Sequence, residues 1–111
     1  MFTKFDEIDL IDFFNAEPVM IGDPQAGIYM FVSENTPKQV LNLSLIVVID
    51  VYDKHITISL SYNNDIIFDG RFENVSKIVK EEHEPVLYIY TQAYRIVLKR
   101  YNVYGVILEE L

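Results

Sequence analysis

Apolar and polar residues alternate at every second position over most of this chain, and this rhythm limits what it can fold into. The clearest stretch runs from His55 to Tyr62, where Ile56, Ile58 and Leu60 alternate with hydroxyl side chains. Successive side chains of a β-strand point to opposite faces, so a period of two predicts a strand with one buried and one solvated face. The chain is therefore expected to be mostly β.

The same rhythm predicts about seven strands between residues 28 and 108. Turn-forming residues separate them, such as Asn63-Asn64, a pair that tolerates positive φ and favours a hairpin. Gly70 lies inside one predicted strand and indicates a bulge or a bend. A polar loop is expected at 33–37. The predicted strands cover residues 28–32, 38–52, 55–62, 65–75 with pairing extended through 76–79, 86–91, 94–100 and 103–108.

A helical spacing of apolar residues precedes the strands and predicts one amphipathic helix over residues 5–15. Thr3, followed three residues later by Asp6, is expected to start it, and Pro18 limits its continuation. The residues expected on its buried face are Phe5, Ile8, either Leu10 or Ile11, and Phe14.

The predicted fold class is α+β, mostly antiparallel β, with the N-terminal helix packed on a face or end of the strands. The strands are expected to form a sandwich or a partly closed barrel. With 111 residues, half of them hydrophobic, residues 1–111 are interpreted as a single domain that can bury a core. The chain has no cysteine, which excludes disulfides and thiolate metal sites.

The charge balance favours a basic partner. Seventeen acidic residues against nine basic ones, a formal net charge of −8, argue against nucleic acid and against anionic membranes as partners. The same balance favours electrostatic steering of something basic. The N-terminus lacks a signal-peptide pattern, and the longest apolar run, residues 45–49, is too short to cross a bilayer. A cytoplasmic protein is expected.

Residues that could perform catalysis are few. The four glycines are not clustered into a phosphate-binding loop, and His55 and His83 are the only histidines. Both histidines are interpreted as solvated, His83 within a charged loop. Asp50 and Asp69 are interpreted as outward acids at strand ends, or, for Asp69, as paired locally with Arg71 on one strand face. We therefore predict no enzyme activity, no catalytic or metal site and no cofactor.

Tyrosine is unusually frequent in the last third of the chain, where basic residues accompany it. Aromatic and basic side chains on a sheet can stack single-stranded nucleic acid, but the net charge opposes that use. Packing on the sheet explains most of them, and tyrosine is also enriched in protein interfaces. The residues concerned are Tyr88, Tyr90, Tyr94, Tyr101 and Tyr104, with Arg95, Lys99 and Arg100 among them.

Three stretches of the chain resemble the small bacterial immunity proteins of contact-dependent growth inhibition and related polymorphic toxin systems. They are residues 5–14 (FDEIDLIDFF) with Glu17-Pro18 after them, residues 56–61 (ITISLS) and residues 68–75 (FDGRFENV). The resemblance extends over nearly the whole chain in size, charge and element order. It implies a cytoplasmic protein that binds one cognate toxin domain tightly and blocks its active site.

Two interpretations of function remain at this point. In the first, the chain occludes a basic, nuclease-like toxin domain, acting as a monomer or weak homodimer. The residues expected to bind the partner are Asp6, Glu7, Asp9, Asp12, Glu17 and Asp23.

In the second interpretation, the chain is a small ligand-binding protein or enzyme subunit that dimerises through an exposed strand edge. The long apolar strand at 40–51 serves as that edge if it lies outermost. A deep pocket containing Asp50 or Asp69 favours this interpretation. A filled core with carboxylates on an open surface favours the first.

Overall fold

One helix and nine strands form the chain in the computed structural model, which describes residues 2–34, 43–100 and 104–111. Helix α1 is Glu7–Phe14, and a short 3₁₀ turn is Pro24–Ala26. The strands are β1 (Val19–Met20), β2 (Ile28–Glu34), β3 (Leu43–Asp50), β4 (His55–Tyr62), β5 (Asp65–Phe72), β6 (Lys77–Lys80), β7 (Val86–Tyr90), β8 (Tyr94–Arg100) and β9 (Tyr104–Glu110). The predicted α+β, mostly antiparallel fold is confirmed.

Strands β1 to β5 form the first sheet in sequence order, with every neighbouring pair antiparallel. β3 lies at its centre, and its residues alternate between buried and half-buried. The condition that this strand lies outermost and serves as a dimer edge is not met, because β2 and β4 bond to it on both sides. The part of the predicted strand at 38–42 lies outside the described residues.

Strands β6 to β9 form the second sheet, also antiparallel and in sequence order. The prediction that residues 65–79 continue one meander is wrong. β5 ends at Phe72, and Asn74 adopts the left-handed conformation (φ 59°) that turns the chain out of the first sheet. Val75 is fully buried at this crossing, and β6 then starts the second sheet.

The nine strands exceed the predicted seven for local reasons. β1 has two residues, too few to show a period, and β6 is a separate strand rather than an extension. Ser33 and Glu34, expected in a loop, belong to β2. The last strand ends at Glu110 rather than at 108, and residues 35–37, Tyr101 and Val103 lie outside the described part.

A single cluster of buried apolar residues draws on the helix and on both sheets, which makes the arrangement a sandwich rather than a closed barrel in the described part of the chain. α1 contacts β2 in one sheet and β6 in the other. The ring of Phe14 stacks on Phe31 of β2 with centroids 4.9 Å apart. Among the largest fully buried side chains are Leu10, Phe13, Phe14, Phe31, Leu45, Ile49, Ile58, Leu87, Ile89, Ile96 and Leu98.

Helix α1 is shorter than predicted, and its buried face includes the predicted Leu10 and Phe14 but not Ile8. Its N-cap is Asp6, whose carboxylate accepts hydrogen bonds from the backbone N–H groups of Ile8 (2.9 Å) and Asp9 (3.4 Å). Thr3 does not start the helix. Its buried hydroxyl donates to the Val75 carbonyl at 2.8 Å. Asn15 ends the helix in the left-handed conformation.

The predicted apolar face of the helix was wrong at Ile8, whose side chain is 77% exposed. The helix instead buries Leu10, Phe13 and Phe14. These residues lie at i, i+3 and i+4, a spacing that fits a helical face as well as the predicted set did. Phe13 and Phe14 are buried because their rings pack together and fill the space beside Phe31.

Gly70 does not mark the bulge that the sequence predicted. The register between β4 and β5 shifts between Leu60 and Ser61 of β4, whereas Gly70 of β5 pairs in register with Ile58. A Cβ at Gly70 would lie 3.1 Å from ring atoms of both Phe68 and Phe72. Glycine at this position therefore leaves room for two aromatic rings on the inner face of β5.

Candidate functional site

The six predicted partner-binding carboxylates, at positions 6, 7, 9, 12, 17 and 23, all belong to exposed residues. Residues 2–27 contain these six acids and a single base, Lys4, so the segment carries most of the net charge. Its negative potential therefore reaches solvent directly, which is the condition for steering a basic partner.

Three of these carboxylates already have structural partners. Asp6 caps α1, and Asp23 caps the 3₁₀ turn by accepting from the Gln25 N–H at 2.9 Å. Asp12 pairs with Lys80. The carboxylates of Glu7, Asp9 and Glu17 make no hydrogen bond or ion pair with any described residue, which leaves them available to a partner.

The tertiary structure brings the start of a second acid-containing segment, the β6–β7 loop, beside the helix. The Nζ of Lys80, at the end of β6, lies 3.2 Å from Asp12 Oδ2 and donates to the Glu81 carbonyl at 3.1 Å. The side chain of Lys80 is 14% exposed, so a mostly buried cation joins α1 to the loop after β6. That loop contains Glu81, Glu82 and Glu84.

We call this composite the acidic surface, defined as Glu7, Asp9 and Asp12 of α1 together with Glu81, Glu82 and Glu84 of the β6–β7 loop. No described contact joins Asp23 to it, so the predicted set is only partly brought together. His83 lies in the same loop and is solvated as predicted, with its ring nitrogen 3.9 Å from Glu82.

An apolar side chain lies among these acids. Ile8 is flanked in sequence by Glu7 and Asp9 and precedes Asp12 by one helical turn, opposite the buried face of α1. Apolar residues at the centre of a charged rim are typical of protein interfaces. Sequence reasoning missed Ile8, and the signal that could have revealed it was the competing apolar spacing of Leu10, Phe13 and Phe14.

The tyrosines of the last third divide between two environments. Tyr104 is buried, and its hydroxyl lies 2.9 Å from the buried Ser33 hydroxyl, where Arg100 also donates at 2.8 Å. This network joins β9 to β2 across the sandwich. Tyr88 and Tyr90 instead lie on the side of the second sheet that faces away from the core.

Burial and charged neighbours raise the pKa values of two residues on that sheet. Partial burial and then the Glu81 carboxylate, which accepts a hydrogen bond from the hydroxyl, raise the pKa of Tyr88 above its ordinary value. The hydrogen bond to Glu109, 2.6 Å from Nε, raises the pKa of Arg95. Both shifts favour the protonated forms, so Tyr88 stays neutral and Arg95 stays cationic at physiological pH.

Asp50, Asp53 and His55 bring potential metal-ligating atoms within 4.8 Å of one another at the β3–β4 turn. Asp50 accepts a hydrogen bond from the Asp53 N–H at 3.1 Å, which explains its position. The guanidinium of Arg71 lies 3.4 Å from His55 Nδ1 and disfavours a second cation there. This group fits a turn with its local hydrogen bonds better than a metal centre.

Asp50 and Asp69 lie outside four of the clefts that the described residues form. Asp69 is exposed on β5, and Asp50 is half-buried at the end of β3. A cleft of about 470 Å³ that is open to solvent lies between the ends of β5 and β9. Phe72, Tyr94 and Leu108 form its apolar walls, and neither aspartate is among its lining residues.

The described residues include no helix with the length and apolar character needed to cross a bilayer.

Comparison with known proteins gives one informative result. No protein-family model and no curated protein sequence matches the chain. Among solved structures, it matches a chain of the contact-dependent growth inhibition toxin–immunity protein complex from Klebsiella pneumoniae 342, with a TM-score of 0.79. The match covers 100% of both chains at 18% sequence identity. The two chains share a fold.

This likeness confirms, at the level of the fold, the resemblance that the sequence suggested. Identity of 18% leaves little of the surface in common, so no residue role transfers from the Klebsiella complex. The interface of the present chain has to be argued from its own side chains.

Proposed function

We propose that this chain is the immunity protein of a contact-dependent growth inhibition system and that it binds one cognate toxin domain. The fold shared over its full length with a chain of a toxin–immunity complex is the observation that carries this proposal. A filled core and exposed carboxylates also support a binding protein rather than a ligand carrier or enzyme subunit. We propose that it has no chemistry of its own and acts in the cytoplasm.

The negative charge of the acidic surface supports a basic toxin domain as the partner. The acidic surface suits a basic, nuclease-like domain, because a nuclease holds its phosphate substrate with Lys and Arg side chains that can pair with carboxylates. The partner-free acids Glu7, Asp9 and Glu17 would make the first contacts. Binding there would exclude substrate sterically and electrostatically, and neither nucleic acid nor a membrane is a partner of this chain.

Ile8 gives the proposed interface an apolar centre. A side chain that is 77% exposed in the free protein gains from burial against a partner, and acids around it exclude water from the contact. Removing such a side chain from an interface centre typically weakens binding by ~1–2 kcal/mol, roughly 5- to 30-fold in affinity.

The test is calorimetric and kinetic titration against the toxin domain encoded immediately upstream, at low and at moderate salt. Nanomolar affinity with an association rate that falls as salt rises supports the proposal. Absence of binding at micromolar concentration would overturn the pairing.

Matched variants locate the interface. Glu7→Gln with Asp9→Asn and Glu17→Gln should slow association and flatten its salt dependence. The control Asp65→Asn with Asp69→Asn and Glu110→Gln removes as many exposed carboxylates from β5 and β9, and it should retain most of the affinity. Equal losses in the two triple variants would show that net charge, rather than the position of Glu7, Asp9 and Glu17, controls binding.

A further inference from the structure

The side of the second sheet that faces away from the core, here called the outer face, contains an ordered row of charged and aromatic residues. Pairing registers place Lys77, Tyr90, Arg95 and Glu109 side by side across all four strands. Lys77 Nζ lies 4.8 Å from the centre of the Tyr90 ring. Arg95 donates to Glu109 at 2.6 Å and to the Tyr90 hydroxyl at 3.3 Å. These contacts hold the side chains in place before any partner arrives, which reduces the entropy lost on binding.

A second row on the outer face is apolar. The same registers align Val79, Tyr88, Val97 and Ile107 across the sheet. Val79 and Ile107, at the two ends of this row, are 42% and 41% exposed, whereas Val97 between them is 3% exposed. A solvated sheet face is ordinarily polar, so exposed apolar residues at both edges of this face are unusual unless something covers them.

None of the described elements covers this face. The residues that alternate with the two rows, including Ile78, Leu87 and Ile96, point into the core cluster, and α1 contributes its buried side chains to that same cluster. The helix therefore lies on the opposite side of the sheet. The acidic surface meets the outer face at Glu81, whose carboxylate interacts with the Tyr88 hydroxyl, whereas Lys80 points towards α1 and Lys77 and Val79 point outward.

We propose that a second copy of this chain covers the outer face, related by a two-fold axis that runs parallel to the strands between β7 and β8. Such an axis brings β6 over the partner's β9 and keeps each row opposite itself. Lys77 then faces Glu109 of the partner subunit, and Val79 faces the partner's Ile107. Tyr90 likewise faces Arg95 of the partner subunit. The two faces pack as aligned sheets do.

The charges at the ends of the first row favour this arrangement. Lys77 has no carboxylate partner among the described residues, and Glu109 uses only Oε2 to bind Arg95, which leaves Oε1 for a second cation. Within one chain the two residues lie on opposite edges of the sheet, about 14 Å apart at ~4.8 Å per strand. They can therefore pair only between copies, and the interface is complementary to itself.

The dimer is expected to be weak. Four strands at ~4.8 Å spacing give a small face, below the ~800 Å² that each partner of a standard interface buries. The net charge of −8 on each copy adds a repulsion that salt screens. We therefore expect reversible association with a dissociation constant in the high micromolar range.

Sedimentation velocity on the full chain, from micromolar to millimolar concentration, tests the proposal. The wild type should shift from monomer to dimer. Lys77→Glu alone and Glu109→Lys alone should each remain monomeric at the highest concentration, because like charges then face each other. An equimolar mixture of the two variants should dimerise again, since each cation regains a carboxylate. Lys54→Glu changes the net charge equally in the β3–β4 turn and should dimerise like the wild type.

A wild type that is monomeric throughout would overturn the proposal, as would a dimer that neither variant weakens or a mixture that fails to associate. Circular dichroism establishes that each variant is folded. If Glu109→Lys does not fold, concentration-dependent amide shifts in the wild type decide instead. Shifts concentrated on β6–β9 support the outer face, and shifts concentrated on the exposed edge of β5 overturn it.

Discussion

Lys80 Nζ lies 3.2 Å from Asp12 Oδ2, and this ion pair attaches the acidic helix to the second sheet. The two residues are 68 positions apart, and the contact determines which acids lie beside one another. It places the helix acids next to the β6–β7 loop. The acidic surface is therefore assembled from two segments that are distant in sequence, and Lys80 joins them.

Replacing Lys80 with methionine should destabilise the protein by only about 0.5–1 kcal/mol. Asp12 is 71% exposed, so water screens the pair, and methionine preserves most of the packing of the lysine stem. Urea unfolding measures the change, with Lys99→Met as the control. A loss above about 3 kcal/mol would contradict this account, because it is the magnitude expected when one partner of a buried pair is removed.

Replacing the cap residue Asp6 with alanine should lower the free energy of unfolding by ~1 kcal/mol. The variant loses the hydrogen bonds to the N–H groups of Ile8 and Asp9. Asp9→Ala removes a carboxylate from the same helical turn without touching the cap, and it should have a clearly smaller effect. Thermal unfolding of both variants tests whether Asp6 is the cap residue. Equal losses of stability in the two variants would contradict that role.

Phe14→Ala should be among the most damaging substitutions, at about 3–5 kcal/mol, because it leaves a cavity beside Phe31. Ile8→Ala should stay within about 0.5 kcal/mol of the wild type, as expected for an exposed residue. Urea unfolding of the pair tests which face of α1 is buried. A large loss at Ile8 would indicate the face that its sequence spacing first suggested.

Glu81→Gln should lower the pKa of Tyr88, since the Glu81 carboxylate opposes ionisation of the hydroxyl. A pKa raised by folding means that the native state holds its proton longer than the unfolded chain. Stability should therefore decline as pH rises above about 10, the unfolded value, and less steeply in the variant. Ring-carbon NMR of Tyr88 across alkaline pH measures the shift, and identical titrations would refute the contribution of Glu81.

Much of the fold was predictable because period-two alternation reports directly on strands with one buried face. β4 and β8 have the predicted bounds, since each combines clean alternation with clear turns at both ends. The exposed acids at the helix were predictable for a similar reason. Charged side chains are rarely buried, so their positions on a short helix indicate its solvated side.

The sequence by itself determined a mostly antiparallel β protein with an acidic N-terminal helix, because local periodicity and charge need no knowledge of distant residues. Only the tertiary structure decided that β3 is central, that the chain leaves the first sheet at Asn74, and that α1 buries Phe13 rather than Ile8. It also decided that Asp12 meets Lys80. These outcomes depend on which surfaces meet in space, and packing between segments far apart in the chain leaves no periodic signal in the sequence.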